Sequence, residues 1–210
     1  MNDIYQKNKF KNYDIIEYCL KPLGNLYTIL GDYDSAENTI KQYFFIVNTS
    51  KNYPDAQKQK FAAILNLSNV YQSSGKISSA IEVLENTLKT EKLSNLQKGI
   101  FYLLNGDLEL LKESPETALR YYQTALVQLH PDFDQADPYV NPEQLILGMG
   151  AMTLFEALTK KAKTAWLLYG KKPSESWFQL GLDTWEKAFS LARFIALNYD
   201  NEEARVFLGD

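Results

Sequence analysis

Residues 22–36 read PLGNLYTILGDYDSA, and the positions of Gly24, Tyr27, Gly31 and Ala36 within them decide the fold. Gly24 and Ala36 form a pair of small residues, and the same pairing recurs as Ser68 with Ala80 and as Gly106 with Ala118. Two antiparallel helices approach closely only where a side chain is small, with larger residues packed around the contact. Gly31 sits between the two helices, where a positive φ ends the first. Asp32 then offers an N-cap oxygen to the second. A helix–turn–helix unit is the reading, and it occurs more than once.

The second copy is ILNLSNVYQSSGKISSAIEVL, in which Ser68, Tyr71, Gly75, Ile77, Ala80 and Leu84 stand where Gly24, Tyr27, Gly31, Tyr33, Ala36 and Ile40 stand in the first. The third, YLLNGDLELLKESPETALRYY, keeps Gly106, Ala118 and Tyr122 but has Glu109 at the tyrosine position and Glu113 at the turn-glycine position. Its second helix is expected to start with Ser114 as N-cap and Pro115 in the first helical position, where a missing N–H costs little. On these residues the chain resembles the tetratricopeptide repeat (TPR) family. The resemblance implies an all-α, right-handed superhelix (an α-solenoid) of antiparallel hairpins, with the first helix of each hairpin lining a concave face that binds proteins.

In chain order, 1–11 reads as a polar extension and 12–129 as three hairpins. The helices are expected at about 12–30, 34–47, up to 73 from an opening at Pro54, 78–89, 94–112 and 115–129. Pro22 within the first predicts a local bend or a start near Lys21. Residues 130–145 hold aspartates and prolines and read as a loop. Asn141, Pro142 and Gln144 read as N-cap, first helical residue and capping-box partner of the next helix, which Gly148 and Gly150 would kink. A longer hairpin follows over 146–200. In its first helix Phe155, Leu158, Ala162, Ala165, Trp166 and Tyr169 fall at helical spacing; in its second Trp177, Trp185, Ala188, Phe189, Ala192 and Ile195 face inward. Residues 201–210 read as the start of a further helix, apolar at Val206, Phe207 and Leu208, which suggests a fragment of a longer protein. The order of hairpins, YYQTALVQLHPDFDQADPYVNP and AFSLARFIALNYDNEEARVFL is similar to the N-terminal TPR region of bacterial CHAT-domain proteins. That resemblance implies a caspase-like peptidase domain after Asp210, for which this chain would be the regulatory arm.

With 45% hydrophobic and 13% aromatic residues, the 210-residue chain has the composition of a folded protein. A net charge of −4 without any basic cluster speaks against a nucleic-acid partner. There is no apolar run long enough to span a membrane, and no secretory signal. Cys19 is the only cysteine, which suits the cytoplasm.

No catalytic, cofactor or metal site is expected. Cys19 and His130 belong to distant repeats and read as a small buried cysteine and a loop histidine rather than a nucleophilic pair. Asp132, Asp134, Asp137 and Glu143 have an EF-hand's outer spacing, but Asp137 occupies the position that needs glycine, so they read as solvated or capping carboxylates. Tyr121, Tyr122, Trp166, Tyr169, Trp177 and Trp185 read as core. The candidate binding surface is the inner face of the first helices: Tyr18, Lys21, Asn25 and Thr28, then Leu65, Asn66, Asn69 and Gln72, then Leu103 and Asp107. Lys21, Asn25 and Asn66 match three positions of the TPR clamp for a terminal carboxylate. Ile100 and Leu104 stand where its other two cations belong, so that grip is not expected. The reading is a non-catalytic scaffold that binds a peptide or partner protein, with a C-terminal domain of the same polypeptide or self-association as alternatives.

Overall fold

A computed structural model of the chain describes residues 12–49, 55–144, 148 and 150–198. The extension 1–11, the opening at Pro54 and the apolar turn at 201–210 lie outside them. All regular secondary structure among the described residues is helical. The chain divides into two compact units, Met1–Glu91 and Lys92–Asp210.

The first unit holds α1, which runs as Asn12–Ile15, a π-helical turn Ile16–Leu20 and Lys21–Leu30, followed by α2 (Tyr33–Thr49), α3 (Ala56–Ser73) and α4 (Ile77–Thr90). Sequence-adjacent helices pack on one another, and α1 also meets α3. The α-helical stretch begins at Lys21 with Pro22 in its first turn, directly after the π turn. A proline inside an α-helix lacks a donor and crowds the carbonyl four residues back. The wider π turn just before it absorbs that conflict: the Lys21 N–H reaches back to the Ile16 carbonyl. Ile16 and Leu20 point into the core with Ala36, Ile40, Tyr43, Val47, Ala63, Leu67 and Val70.

The repeated turn is visible in the backbone. Asp32 N donates to the Tyr27 carbonyl at 3.0 Å, Lys76 N to Tyr71 at 2.8 Å and Ser114 N to Glu109 at 2.9 Å. Each is the six-to-one bond that closes a helix through a left-handed residue. That residue is Gly31 (φ 77°), Gly75 (φ 74°) and Glu113 (φ 59°). The aligned small residues Ala36, Ala80 and Ala118 are all fully buried. Asp32 caps α2 through Ser35 N at 3.2 Å. Ser114 makes no such cap; its hydroxyl turns to the Lys112 carbonyl.

The second unit holds α5 (Asn95–Leu111), α6 (Pro115–Leu129), α7 (Ala151–Lys171) and α8 (Glu175–Asn198), again packed in sequence order. Gly106 is the tightest crossing: a Cβ there would lie 2.3 Å from Cε1 of Tyr122. The core gathers Leu103, Ala118, Tyr122, Leu126, Leu154, Leu158, Ala188, Leu191 and Ile195. Two expectations are corrected. Asn141, Pro142 and Gln144 do not begin a helix; α7 starts at Ala151 with Gly150 before it, because the Asn141 side chain is held elsewhere in the unit. Phe189 is 65% exposed, since Leu180, Thr184, Ala188, Leu191 and Ile195 make up the inward stripe of α8.

Candidate functional site

In the first unit the candidate face is built on α1 and α3, which lie side by side. Gln59 Nε2 on α3 donates to Glu17 Oε1 on α1 at 2.9 Å. Gln59 is buried because its own carbonyl and side chain both meet the Tyr43 hydroxyl, at 2.5 and 3.2 Å. The partly buried Gln59–Glu17 bond ties the two helices together. Along the same two helices, Tyr18, Asn25, Asn69 and Gln72 are exposed, and Asn66 and Leu65 are half-buried. No side-chain hydrogen bond within the described residues engages the four amides. Two neighbours are committed. Lys21 Nζ donates to Glu17 Oε1 at 2.5 Å and sits 5.7 Å from the centre of the Tyr43 ring. Thr28 Oγ1 donates to the Gly24 carbonyl at 2.8 Å.

The two candidates from the second unit are structural. Leu103 is 3% exposed and belongs to the core, so it cannot line a face. Asp107 joins three helices: it accepts from the Tyr122 hydroxyl at 2.8 Å and from Lys160 Nζ at 2.5 Å. Lys160 also pairs with Glu156 at 2.8 Å. Burial works against the Lys160 ammonium, but the Asp107 and Glu156 carboxylates outweigh it and its pKa is raised. Burial, reinforced by Asp107, raises that of Tyr122.

Cys19 is exposed rather than buried, because the π turn puts Ile16 and Leu20 inward and leaves Tyr18 and Cys19 outside. His130 is buried. Its Nδ1 accepts from the Asp132 N–H at 3.2 Å, so Nε2 donates to the Gln144 carbonyl, 2.9 Å away. Asp132, Asp134, Asp137 and Glu143 are exposed along the strap 130–144. Asp132, Asp134 and Glu143, but not Asp137, border a cavity of about 400 Å³ that Phe133 and Pro142 also line. Of the aromatic residues read as core, Tyr122 is fully buried; Tyr121, Trp166, Tyr169, Trp177 and Trp185 are half-buried. Trp166 meets Tyr169 and Phe178 edge to face, and Trp177 stacks on Tyr139 of the strap.

The residue that sequence reasoning missed is Lys161, which is 0% exposed. Its Nζ donates to Gln123 Oε1 at 2.7 Å, to the Val140 carbonyl at 2.8 Å and to Asn141 Oδ1 at 2.8 Å. Asn141 also bonds Thr184 of α8, with Nδ2 3.0 Å from the hydroxyl oxygen. Gln123 Nε2 holds the strap at the Gln135 carbonyl, 2.7 Å away. Burial brings the Lys161 pKa down to about 7 against a weaker upward pull from Asp137. One signal was available: Lys161 falls in phase with Leu158, Ala162, Ala165 and Leu168, in the middle of the buried stripe of α7.

The Glu37 cluster at the α2–α3 contact is a smaller network of the same kind. Glu37 Oε1 accepts from Lys41 at 2.6 Å and from the Tyr71 hydroxyl at 2.8 Å. The Lys41 hydrogen bond, against an opposing burial effect, holds the Glu37 carboxyl below its usual range. Among the described residues no helix is long and apolar enough to cross a membrane. No family model matches the chain, and no curated protein does.

Proposed function

We propose that the chain is a non-catalytic recognition module that binds an extended peptide or partner segment across α1 and α3. The observation that carries this reading is the set of amides Asn25, Asn66, Asn69 and Gln72, which make no side-chain hydrogen bond among the described residues, on two helices joined by the Gln59–Glu17 contact. A carboxamide both donates and accepts, so it pairs with the N–H and C=O groups of a peptide main chain. Rigid helices remove the backbone ordering cost on the protein side, leaving the rotamers of these side chains to be fixed on binding. Lys21 is occupied by Glu17, so recognition here does not depend on a terminal carboxylate. The TPR-like solenoid belongs to the same reading; what supports it is the turn bond repeated at 27–32, 71–76 and 109–114.

The experiment is a selection of random displayed peptides against the full chain, followed by measurement of Kd for the recovered peptide. The combined Asn25→Ala, Asn66→Ala and Gln72→Ala variant is expected to lose at least about tenfold in affinity, the order expected from a few truncated interface contacts, while its thermal unfolding stays unchanged. A recovered peptide that binds the variant as tightly as the parent chain overturns the reading.

A further inference from the structure

The strap between α6 and α7 is fastened by side chains rather than by secondary structure. Gln123 of α6 takes the Gln135 and Val140 carbonyls, Lys161 of α7 takes Val140 and Asn141, and Thr184 of α8 takes Asn141. Lys187 adds the Glu143 carbonyl at 3.1 Å. Lys161 is the centre of this set, and its position is unusual. An ammonium removed from water normally meets a carboxylate. Here the three oxygens around Nζ are neutral. The elements packed against it present Gln123 from α6 and, through Asn141, Thr184 from α8, both uncharged. Asp137 of the strap acts on it only at longer range. Lys160, next in sequence, turns to Asp107 and Glu156 instead.

We propose that the strap 134–144 is a proton-operated fastening, in which Lys161 takes up a proton as the strap opens and releases it as the strap closes. The cradle serves both forms of the amine. As an ammonium, Nζ gives one N–H to each of three oxygens. As a neutral amine it has two N–H donors and a lone pair. Turning the Asn141 carboxamide over then offers its NH2 to that lone pair and its oxygen to the Thr184 hydroxyl, whose proton leaves the Leu180 carbonyl to its backbone partner within α8. Opening hydrates Nζ.

The direction follows from linkage. Closed, the lysine titrates at about 7; opened to water, it returns to its ordinary value of 10.5. Between those values the closed strap binds fewer protons than the open one. Raising the pH through that window therefore favours closure, by up to about tenfold in the opening constant per pH unit. Below the window both forms carry the proton and this dependence disappears.

Amide hydrogen exchange on the full chain reads this directly. The Val140 N–H donates to the Asp137 carbonyl at 3.1 Å within the strap. Its protection, corrected for intrinsic chemical exchange, is expected to rise between pH 7.5 and 9.5 in the parent chain and to stay level in Lys161→Met. Level protection in the parent chain, or an equal slope in the variant, overturns the proposal. If Lys161→Met does not fold, the parent chain decides alone: the Lys161 side-chain resonances should titrate close to pH 7, and a midpoint above pH 10 overturns the proposal.

Discussion

At the scale of single residues, the same position in two hairpins carries very different penalties. A Cβ at Gly24 would meet Ile40 Cγ1 at 3.2 Å, whereas one at Gly106 would enter the Tyr122 ring. That ring cannot swing away, because its hydroxyl is tied to Asp107. Gly106→Ala is therefore expected to cost about 2 kcal/mol through overpacking. All three tryptophans lie in the second unit, so the shift of the fluorescence-detected urea midpoint reports it without interference from the first. Glu113 is the converse case, a bulky residue at φ 59° where its two counterparts are glycine. Left-handed geometry costs a non-glycine residue about 1–2 kcal/mol, and glycine returns about 0.4–1 of that by loosening the unfolded chain. Glu113→Gly should raise stability by about 0.5–1 kcal/mol by the same fluorescence assay. Asp107→Asn, which removes the charge that Tyr122 and Lys160 share, should destabilise the unit by about 1–3 kcal/mol and leave peptide affinity unchanged.

At the scale of elements, the strap and the α2–α3 contact show where side chains substitute for backbone order. Asn141→Ala deprives both Lys161 and Thr184 of a partner and should destabilise the second unit by about 1–3 kcal/mol, read from a lowered urea midpoint. The helices themselves were legible: α6 runs from Pro115 to Leu129 as its proline start and apolar spacing predict. The strap was not. Asn141, Pro142 and Gln144 spell a helix start locally, but a buried lysine twenty residues on claims the asparagine oxygen. Capping rules read neighbours in sequence and have no access to such a partner. Glu37 gives the acid counterpart. Its folded pKa is lowered, so its contribution is complete above its ordinary value of 4.5 and is lost as pH falls through the lowered one. Glu37→Gln should flatten the acid limb of the chain's stability–pH profile, followed by far-ultraviolet circular dichroism.

For the molecule as a whole, the repeat signature located the turns more reliably than the binding residues. Gly31, Gly75 and Glu113 occupy one backbone conformation because that requirement is local and steric. Eight residues of the candidate face separate into three kinds. Asn25, Asn66, Asn69 and Gln72 remain available, Lys21 and Thr28 are engaged on their own helix, and Leu103 and Asp107 serve the core of the second unit. Sequence spacing gives the face of a helix, but which polar groups on it are already spoken for depends on partners elsewhere. The available amides are the central claim, and their own side-chain NH2 resonances test it. In a titration of the full chain with its selected peptide, the signals of Asn25, Asn66, Asn69 and Gln72 should shift together and saturate at one Kd. Shifts confined to α8, or to the strap, with these four unmoved, would contradict it.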